Sequence, residues 1–254
     1  MSIKRLSHLL DKELAKLNGS VGLNVKFLSS NEIYTYNGKT QFWAASVIKI
    51  PIALTFYEQI KEKNINDTEK VKITEDNYVL GSGIAKLLDK NNKYTFKDLI
   101  TLMLVVSDNT ATNQIVDFIG WESVEKYMKE IGLENTTFKH KMMIKAGRGP
   151  NLTTPEEMTT LLERMYKNEL PGSEIVLKIM QEQLDRTRIP QLIPNEIPIS
   201  HKFGTLPEAL HEVGIIYSKN PFIFCFFSDD QKDKKLTNEV LSVCAKHCFD
   251  YSMK

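Results

Sequence analysis

The distribution of hydrophobic periodicity limits the fold of this chain more than any other sequence feature. Alternating, strand-like patterns lie near the two ends of the chain, and the patterns from about residue 46 to residue 184 are mostly helical. Strands from both ends predict one antiparallel sheet, with the helical stretch inserted between its two halves. The strand-like segments are 21–27, 33–36, 197–203, 213–217 and 222–228.

We therefore predict an α+β fold, with an antiparallel sheet formed from both chain ends, flanking terminal helices and an inserted all-α lobe. The predicted organisation is a single domain, 1–254, made of an α/β lobe at 1–45 and 188–254 and an all-α lobe at 46–187. A cleft between two such lobes is a preferred place for a small-molecule site. Helices are predicted at 47–61, 96–106, 110–119, 123–131, 155–166 and 236–249, and an N-terminal one carries leucines at 6, 9, 10, 14 and 17.

Composition and charge exclude several classes of function. A formal net charge of +1 over 254 residues gives no field that attracts polyanions, so nucleic acid is not a predicted partner. No stretch approaches the roughly 18 unbroken apolar residues of a membrane span. Residues 1–20 lack the apolar run of a secretory leader, which predicts a cytoplasmic protein, but a secreted protein without its leader would have the same sequence pattern.

The three cysteines are predicted to pack in the core. Cys225 lies in an aromatic run, and Cys244 and Cys248 are four residues apart on the predicted C-terminal helix. His247 next to Cys248 would allow a zinc site, but no second pair of ligands occurs elsewhere in the sequence. We predict neither a metal nor an organic cofactor.

The first reactive motif is Ser46-x-x-Lys49, where the first strands give way to the first long helix. A lysine three residues after a serine shares its helical face and can take or relay the hydroxyl proton. Such a motif is weak on its own, since Ser46 could equally be a helix N-cap. The same spacing recurs at Ser123 and Lys126, which we interpret as an ordinary helix start after Gly120.

The second motif is Ser107-Asp108-Asn109, a polar turn between two apolar helical segments. These residue types cap helices well, so a purely structural turn is one interpretation. The other interpretation gives Ser107 the transfer of a proton to a leaving nitrogen and gives Asn109 an amide contact with the substrate.

The third motif is Lys202-Phe203-Gly204, at the end of a predicted strand. The glycine would let the backbone approach a substrate closely, and the N–H of Thr205 could complete an oxyanion hole with the N–H of Ser46. Lys202 would hold a substrate carboxylate. K-x-G is a common pattern, and a second match at 145–147 is interpreted as a flexible loop.

The order S-x-x-K, S-D-N, K-x-G is the signature set of class A β-lactamases and penicillin-binding proteins. The chain resembles the class A β-lactamase family along most of its length, for residues 107–113 match S-D-N-T-A-x-N and residues 151–158 match a T-T-P-x-x-M helix start. The resemblance implies a serine hydrolase with an acyl-enzyme intermediate and a small carboxylate-bearing β-lactam, or a related amide or ester, as substrate. It assigns catalysis to Ser46, Lys49 and Ser107, and substrate binding to Asn109, Lys202, Gly204 and Thr205.

Two departures from the family pattern affect this expectation. The family carries a glutamate in a loop after S-D-N, where it activates water to release the acyl group, but residues 138–150 contain no acidic residue. Phe203 replaces the hydroxyl-bearing middle residue of K-T-G. We expect slow deacylation, with Lys49, His140 or an acid from another segment left open as a base.

Three functions remain open on these residues alone. The first is a β-lactamase-like hydrolase with slow deacylation, and the second is a penicillin-binding, peptidase- or esterase-like enzyme with a non-lactam substrate. The third is a catalytically silent protein that keeps the cleft for binding.

Overall fold

The computed structural model describes residues 2–144, 147 and 149–254. Of the second K-x-G match, Lys145 and Ala146 lie outside the described residues. The eight helices of this described part are α1 Ile3–Leu14, α2 Lys49–Lys63, α3 Phe96–Val105, α4 Asn109–Ile119, α5 Trp121–Glu130, α6 Pro155–Tyr166, α7 Ser173–Gln181 and α8 Lys234–Ser252. Its strands are β1 Ser20–Phe27, β2 Ile33–Tyr36, β3 Phe42–Trp43, β4 Lys70–Lys72, β5 Lys93–Thr95, β6 Leu152–Thr153, β7 Ile199–Leu206, β8 Ala209–Ile216 and β9 Phe222–Asp229.

The main sheet is antiparallel and has the order β2-β1-β9-β8-β7. Strand β1 from the N-terminal end pairs along its whole length with β9 from the C-terminal end, from Ser20 opposite Asp229 to Phe27 opposite Phe222. This pairing confirms the predicted α+β fold with a sheet built from both ends of the chain. Strand β7 lies at one edge of the sheet, so one side of its backbone is available to the rest of the molecule.

The two faces of the sheet belong to two hydrophobic cores, as the two-residue period of a strand requires. In β9, Phe222, Phe224 and Phe226 face a core that they share with α1 and α8. The alternate residues Ile223, Cys225 and Phe227 face the core of the helical part of the chain. Cys225, Cys244 and Cys248 are all fully buried, as predicted.

The observed elements differ from the predicted ones in several boundaries, and α7 is not among the predicted helices. The helix predicted to start at Ser123 begins at Trp121. The predicted helix at 47–61 begins as a 3-10 helix at Ala45–Ile48 and becomes α-helical at Lys49. Strand β8 begins at Ala209 rather than at the predicted residue 213. The boundaries of the two lobes stay a prediction. None of the described helices is long and apolar enough to cross a membrane.

Candidate active site

Ser46 lies in the 3-10 helix that leads into α2, beside the edge strand β7. Ala45, directly before it, has a left-handed backbone with a φ of 44°. A Cβ atom at Gly204 of β7 would stand 3.0 Å from the Ala45 Cβ and 3.2 Å from the Ser46 backbone nitrogen. The glycine therefore lets β7 pass close to the amide of Ser46, while the Ser46 side chain stays half-buried.

Lys49 is fully buried in the first turn of α2 and its ammonium group has three oxygen partners. Nζ donates to the Ser107 carbonyl oxygen at 2.7 Å, to Asn109 Oδ1 at 2.8 Å and to Ser107 Oγ at 3.1 Å. Burial lowers the pKa of Lys49 from 10.5 to about 7, although the negative charge of Asp108 opposes the shift. Near neutral pH the amine is thus close to half-neutral, and a neutral amine can accept a proton.

The turn Ser107-Asp108-Asn109 caps a helix and contacts Lys49, and the roles of Ser107 and Asn109 toward a substrate stay predictions. Asp108 caps α4, because its Oδ1 accepts from the Ala111 N–H at 2.9 Å. Its Oδ2 accepts from the N–H groups of Ile84 and Ala85, each at 2.7 Å, and so anchors the neighbouring loop. Ser107 has a left-handed φ of 54°, and this backbone leaves its carbonyl and its hydroxyl both in contact with Lys49.

The side chain of Asn109 joins Lys49 to the loop that follows Tyr78. Its Oδ1 accepts from Lys49, while Nδ2 donates to the Leu80 carbonyl at 3.3 Å. A Cβ at Gly81, which has a positive φ of 92°, would stand 2.6 Å from Asn109 Nδ2. The loop around Gly81 therefore packs tightly on the motif, and the predicted amide contact of Asn109 with a substrate would have to share Nδ2 with this loop.

Lys202 on β7 is also fully buried, and its contacts differ from those of Lys49. Its Nζ donates to the Phe203 carbonyl at 3.0 Å and stands 4.1 Å from the centre of the Phe203 ring. Burial, then the positive charges of Lys49 and Arg188, hold the pKa of Lys202 well below its usual 10.5. The close approach of Gly204 to the Ser46 nitrogen places the third motif next to the first.

Arg188 binds groups on β7 and β8 in this region, which its position in the sequence did not indicate. Its guanidinium donates to the Gly204 carbonyl at 3.3 Å, to the His211 carbonyl at 2.9 Å and to Thr205 Oγ1 at 2.7 Å. The guanidinium carbon also stands 4.9 Å from the centre of the Phe203 ring. Arg188 thus ties β7 to β8 at the residues nearest Ser46.

The geometry brings Ser46, Lys49, Ser107, Asn109, Lys202 and Gly204 to one region, and a comparison with known families shows which family the chain belongs to. Residues 4–252 match the model of the family described as the beta-lactamase enzyme family. The chain belongs to the β-lactamase enzyme family. It is a class A β-lactamase-like serine hydrolase.

Individual relatives are distant in sequence and similar in fold. Beta-lactamase VEB-1 from Pseudomonas aeruginosa is 24% identical over 264 residues, which cover 95% of this chain and 88% of that protein. The TLA-1 extended-spectrum β-lactamase superposes with a TM-score of 0.91 at 22% identity and 99% coverage of both chains. A mutant of PBP-A, solved as an acyl-enzyme complex with penicillin G, superposes with a TM-score of 0.90 at 23% identity, covering 98% of this chain and 96% of that one.

The loop that carries the glutamate in this β-lactamase family is held here by Asn113 of α4. The Asn113 side chain accepts from the Met142 N–H at 2.8 Å and donates to the Met142 carbonyl at 3.1 Å. The next residue, Met143, is 63% exposed, and its sulfur would stand 3.5 Å from a Cβ at Gly81. A thioether therefore lies near Asn109, and thioethers do not act as bases at neutral pH.

Acidic groups near this loop are engaged in structural contacts. Asp117 binds Lys141 and Asn77, and Glu125 binds Lys139 at 2.8 Å. Glu157, at the start of α6, accepts from the backbone and side chain of Asn135 and from the Thr136 hydroxyl. His140, which the sequence left open as a base, lines a separate cavity of about 360 Å³ beside α4 and α5.

Sequence reasoning passed over two further residues on β8. His211 is fully buried, and its Cδ2 would stand 3.4 Å from a Cβ at Gly204. Burial lowers the pKa of His211 to about 3, and its Nδ1 accepts from the Ser228 N–H. The proton of the neutral ring is thus on Nε2, which excludes His211 as a base at neutral pH. Glu212, also fully buried, binds His201 Nδ1 at 2.8 Å and the Ile189 N–H at 2.5 Å.

Proposed function

We propose that this β-lactamase-like protein is acylated at Ser46 by β-lactams and releases the acyl group slowly. The observation that carries the proposal is the buried network in which Lys49, with a pKa of about 7, contacts Ser107 and Asn109 one helical turn from Ser46. The PBP-A mutant with the same fold is an acyl-enzyme complex with penicillin G, which supports the same intermediate here.

Acylation requires that the Ser46 hydroxyl lose its proton as Oγ attacks the lactam carbonyl. Neutral Lys49 is the acceptor that we propose, with Ser107 passing a proton to the leaving nitrogen. The N–H groups of Ser46 and Thr205 would stabilise the oxyanion. The proximity of Gly204 to the Ser46 nitrogen and the edge position of β7 both support this role.

Deacylation needs a base that activates water, and the loop of residues 138–150 offers no carboxylate for this. The described acids nearby are paired with other groups. General-base catalysis is typically worth about 10²–10⁴-fold, so we expect its absence to leave the acyl-enzyme intact for seconds to hours.

Mass spectrometry of the intact protein after addition of a fluorescent penicillin tests both halves of the proposal. The expected result is one adduct per chain on Ser46, followed by slow loss of the adduct after excess reagent is removed. Ser46→Ala abolishes labelling without a large change in melting temperature, and Ser123→Ala, which removes the second S-x-x-K serine, keeps it.

Rapid, linear turnover of a chromogenic cephalosporin without a burst would show that a competent deacylation base exists. Labelling that persists in Ser46→Ala would contradict the assignment of Ser46 as the nucleophile. A folded wild-type protein that forms no adduct at all with the penicillin would contradict acylation by β-lactams.

A further inference from the structure

The backbone directly before Ser46 is strained. Ala45 has a φ of 44°, in the left-handed region that residues other than glycine, asparagine and aspartate seldom adopt. The planar peptide that follows Ala45 carries the N–H of Ser46, so the backbone angles of Ala45 determine where that N–H points. Strained backbone of this kind persists only where the surrounding structure holds it. The groups that hold this turn therefore affect the oxyanion contact proposed for Ser46.

The residues that precede Ala45 are held by partners from other segments. The N–H of Ala44 donates to the Asn151 carbonyl at 2.8 Å, and Trp43 lies in β3, which pairs with β6. The N–H of Trp43 donates to Asp229 Oδ2, at the end of β9, at 3.1 Å. Among the contacts just named, that of Asp229 is made by a side chain, so a substitution can remove it.

His211 of β8 lies beside the Asp229 carboxylate. Its Nε2 is 3.7 Å from Asp229 Oδ1, which is too long for a hydrogen bond but close enough for the ring N–H to attract the carboxylate. Its Nδ1 accepts from the N–H of Ser228, the residue before Asp229, at 3.1 Å. The imidazole is fully buried. His211 thus helps to fix the end of β9 from which Asp229 reaches Trp43.

The Trp43 peptide is a shared neighbour of these two side chains. Burial raises the pKa of Asp229, and the Trp43 N–H opposes that shift because it stabilises the ionised carboxylate. Burial lowers the pKa of His211 to about 3, and the Trp43 backbone opposes that shift as well. The His211 ring also lies next to β7, since its Cδ2 would stand 3.4 Å from a Cβ at Gly204. Both groups therefore act on the same peptide, two residues before Ala45.

From these contacts we propose that Asp229 is a positioning residue for acylation. Its carboxylate holds the Trp43 N–H, with His211 beside it, and the held peptide fixes the turn that follows. That turn keeps Ala45 left-handed and so directs the N–H of Ser46. In this role Asp229 acts through the backbone and exchanges no proton with the substrate. The proposal rests on the proposed function, in which Ser46 is the nucleophile.

Asp229→Ala removes the acceptor and allows Ala45 to relax to a more favourable backbone. We expect the limiting rate of acylation by the fluorescent penicillin to fall by about 5–30-fold, the factor that corresponds to the cost of a left-handed alanine. The penicillin concentration at half-saturation should change by less than about twofold, because the substrate contacts are retained. Stopped-flow fluorescence over a range of penicillin concentrations measures both quantities. Asp230→Asn removes the exposed neighbouring charge and is the matched control, which should keep both values close to wild type.

A glycine at residue 45 distinguishes positioning of the turn from general support of the fold. Glycine adopts the left-handed backbone about as readily as the right-handed one, so the turn then depends less on Asp229. We expect the double variant Asp229→Ala, Ala45→Gly to acylate within about threefold of Ala45→Gly alone. A general loss of stability would not be recovered in this way, because glycine increases the conformational freedom of the unfolded chain. Melting temperatures of the wild type, both single variants and the double variant complete the comparison.

Two results would overturn the positioning role and leave Ser46 as the nucleophile. One is a wild-type acylation rate in Asp229→Ala, and the other is a loss of rate that Ala45→Gly does not recover. Labelling that persists in Ser46→Ala would instead mean that the proposed function has failed, and the positioning role with it.

Asp229→Asn decides the question if Asp229→Ala does not fold. The amide keeps an acceptor for the Trp43 N–H, but it replaces a charge-assisted hydrogen bond with a neutral one and puts a second donor next to His211. We expect a loss of acylation rate of about fivefold, which Ala45→Gly again recovers. A rate equal to that of wild type, or an unrecovered loss, would contradict the positioning role.

Discussion

The two buried lysines of the site lie on different elements and have different hydrogen-bond partners. Lys49 lies against the turn Ser107-Asp108-Asn109, where Ser107 and Asn109 supply three oxygen partners. Lys202 lies on β7, where one carbonyl and the ring of Phe203 take the place of such a network. The difference indicates that Lys49 is held by a network of polar groups from another segment, whereas Lys202 is held mainly by its own strand.

The largest expected effect comes from removing each lysine in turn. Lys49→Ala should lower the rate of acylation by about 10²–10⁴-fold, because it removes the proposed base. Lys202→Ala should lower it by less than about tenfold, because Lys202 is expected to touch no part of an uncharged substrate. Stopped-flow labelling with 4-nitrophenyl butyrate measures both rates. Equal losses of rate in the two variants would contradict the different roles predicted for the two lysines.

Glu212 and Asp108 are two buried carboxylates that each hold neighbouring segments in place. Their removal should lower the free energy of unfolding by different amounts. Glu212→Ala leaves His201 Nδ1 and the Ile189 N–H without their partner, so it should lower the free energy of unfolding by about 3–5 kcal/mol. Asp108→Ala loses a helix cap and two loop contacts, and should cost about 2–3 kcal/mol. Urea unfolding measures the stability of both variants and of Glu212→Gln, which keeps an acceptor. A larger loss of stability for Asp108→Ala than for Glu212→Ala would contradict the prediction.

The pH dependence of acylation tests the proposed role of Lys49 as the base. Its pKa of about 7 means that the neutral, proton-accepting form increases as the pH rises through 7. The rate should therefore rise about tenfold between pH 6 and pH 8, and level off above. Because the Asp108 charge raises this pKa, Asp108→Asn should move the midpoint to lower pH. A midpoint that does not move would point to a different base.

The smallest effect is expected at the second S-x-x-K match on α5. Lys126 is 78% exposed on its side chain and forms an exposed pair with Glu130 at 3.5 Å. Such pairs contribute about 0–1 kcal/mol, so Lys126→Ala should leave the melting temperature and the acylation rate close to those of wild type. A clear loss of acylation would mean that the choice between the two motifs was wrong.

Sequence patterns predicted the sheet, the main helices and the convergence of the three motifs, because those depend on short-range periodicity and on the order of elements. They missed the first half of β8, since His211 and Glu212 interrupt the apolar alternation there. Both are buried in the structure because their polar atoms bind Ser228, His201 and Ile189 from other segments. Partners that far apart in the chain leave no local signal.

The same limit applies to the contacts that shape the cleft. The sequence showed that Phe203 adds bulk, but not that its ring stands over Lys202 and Arg188. Nor could it show that Asn113 holds Met142 from 29 positions away, since that contact depends on how the loop folds back on α4. The roles of the site residues stay predictions, which the experiments above address.

Because β1 pairs with β9, the main sheet can be completed only late in translation. A ribosome delivers the chain from its N-terminus at about 5–20 residues per second, so Ser46, Lys49 and Ser107 leave the exit tunnel well before β7 exists. Until β9 arrives, β1 lacks its neighbour and presents an open edge to other nascent chains. A chain that stops short of β7 therefore has Ser46 and Lys49, but lacks the strand that passes close to the Ser46 amide.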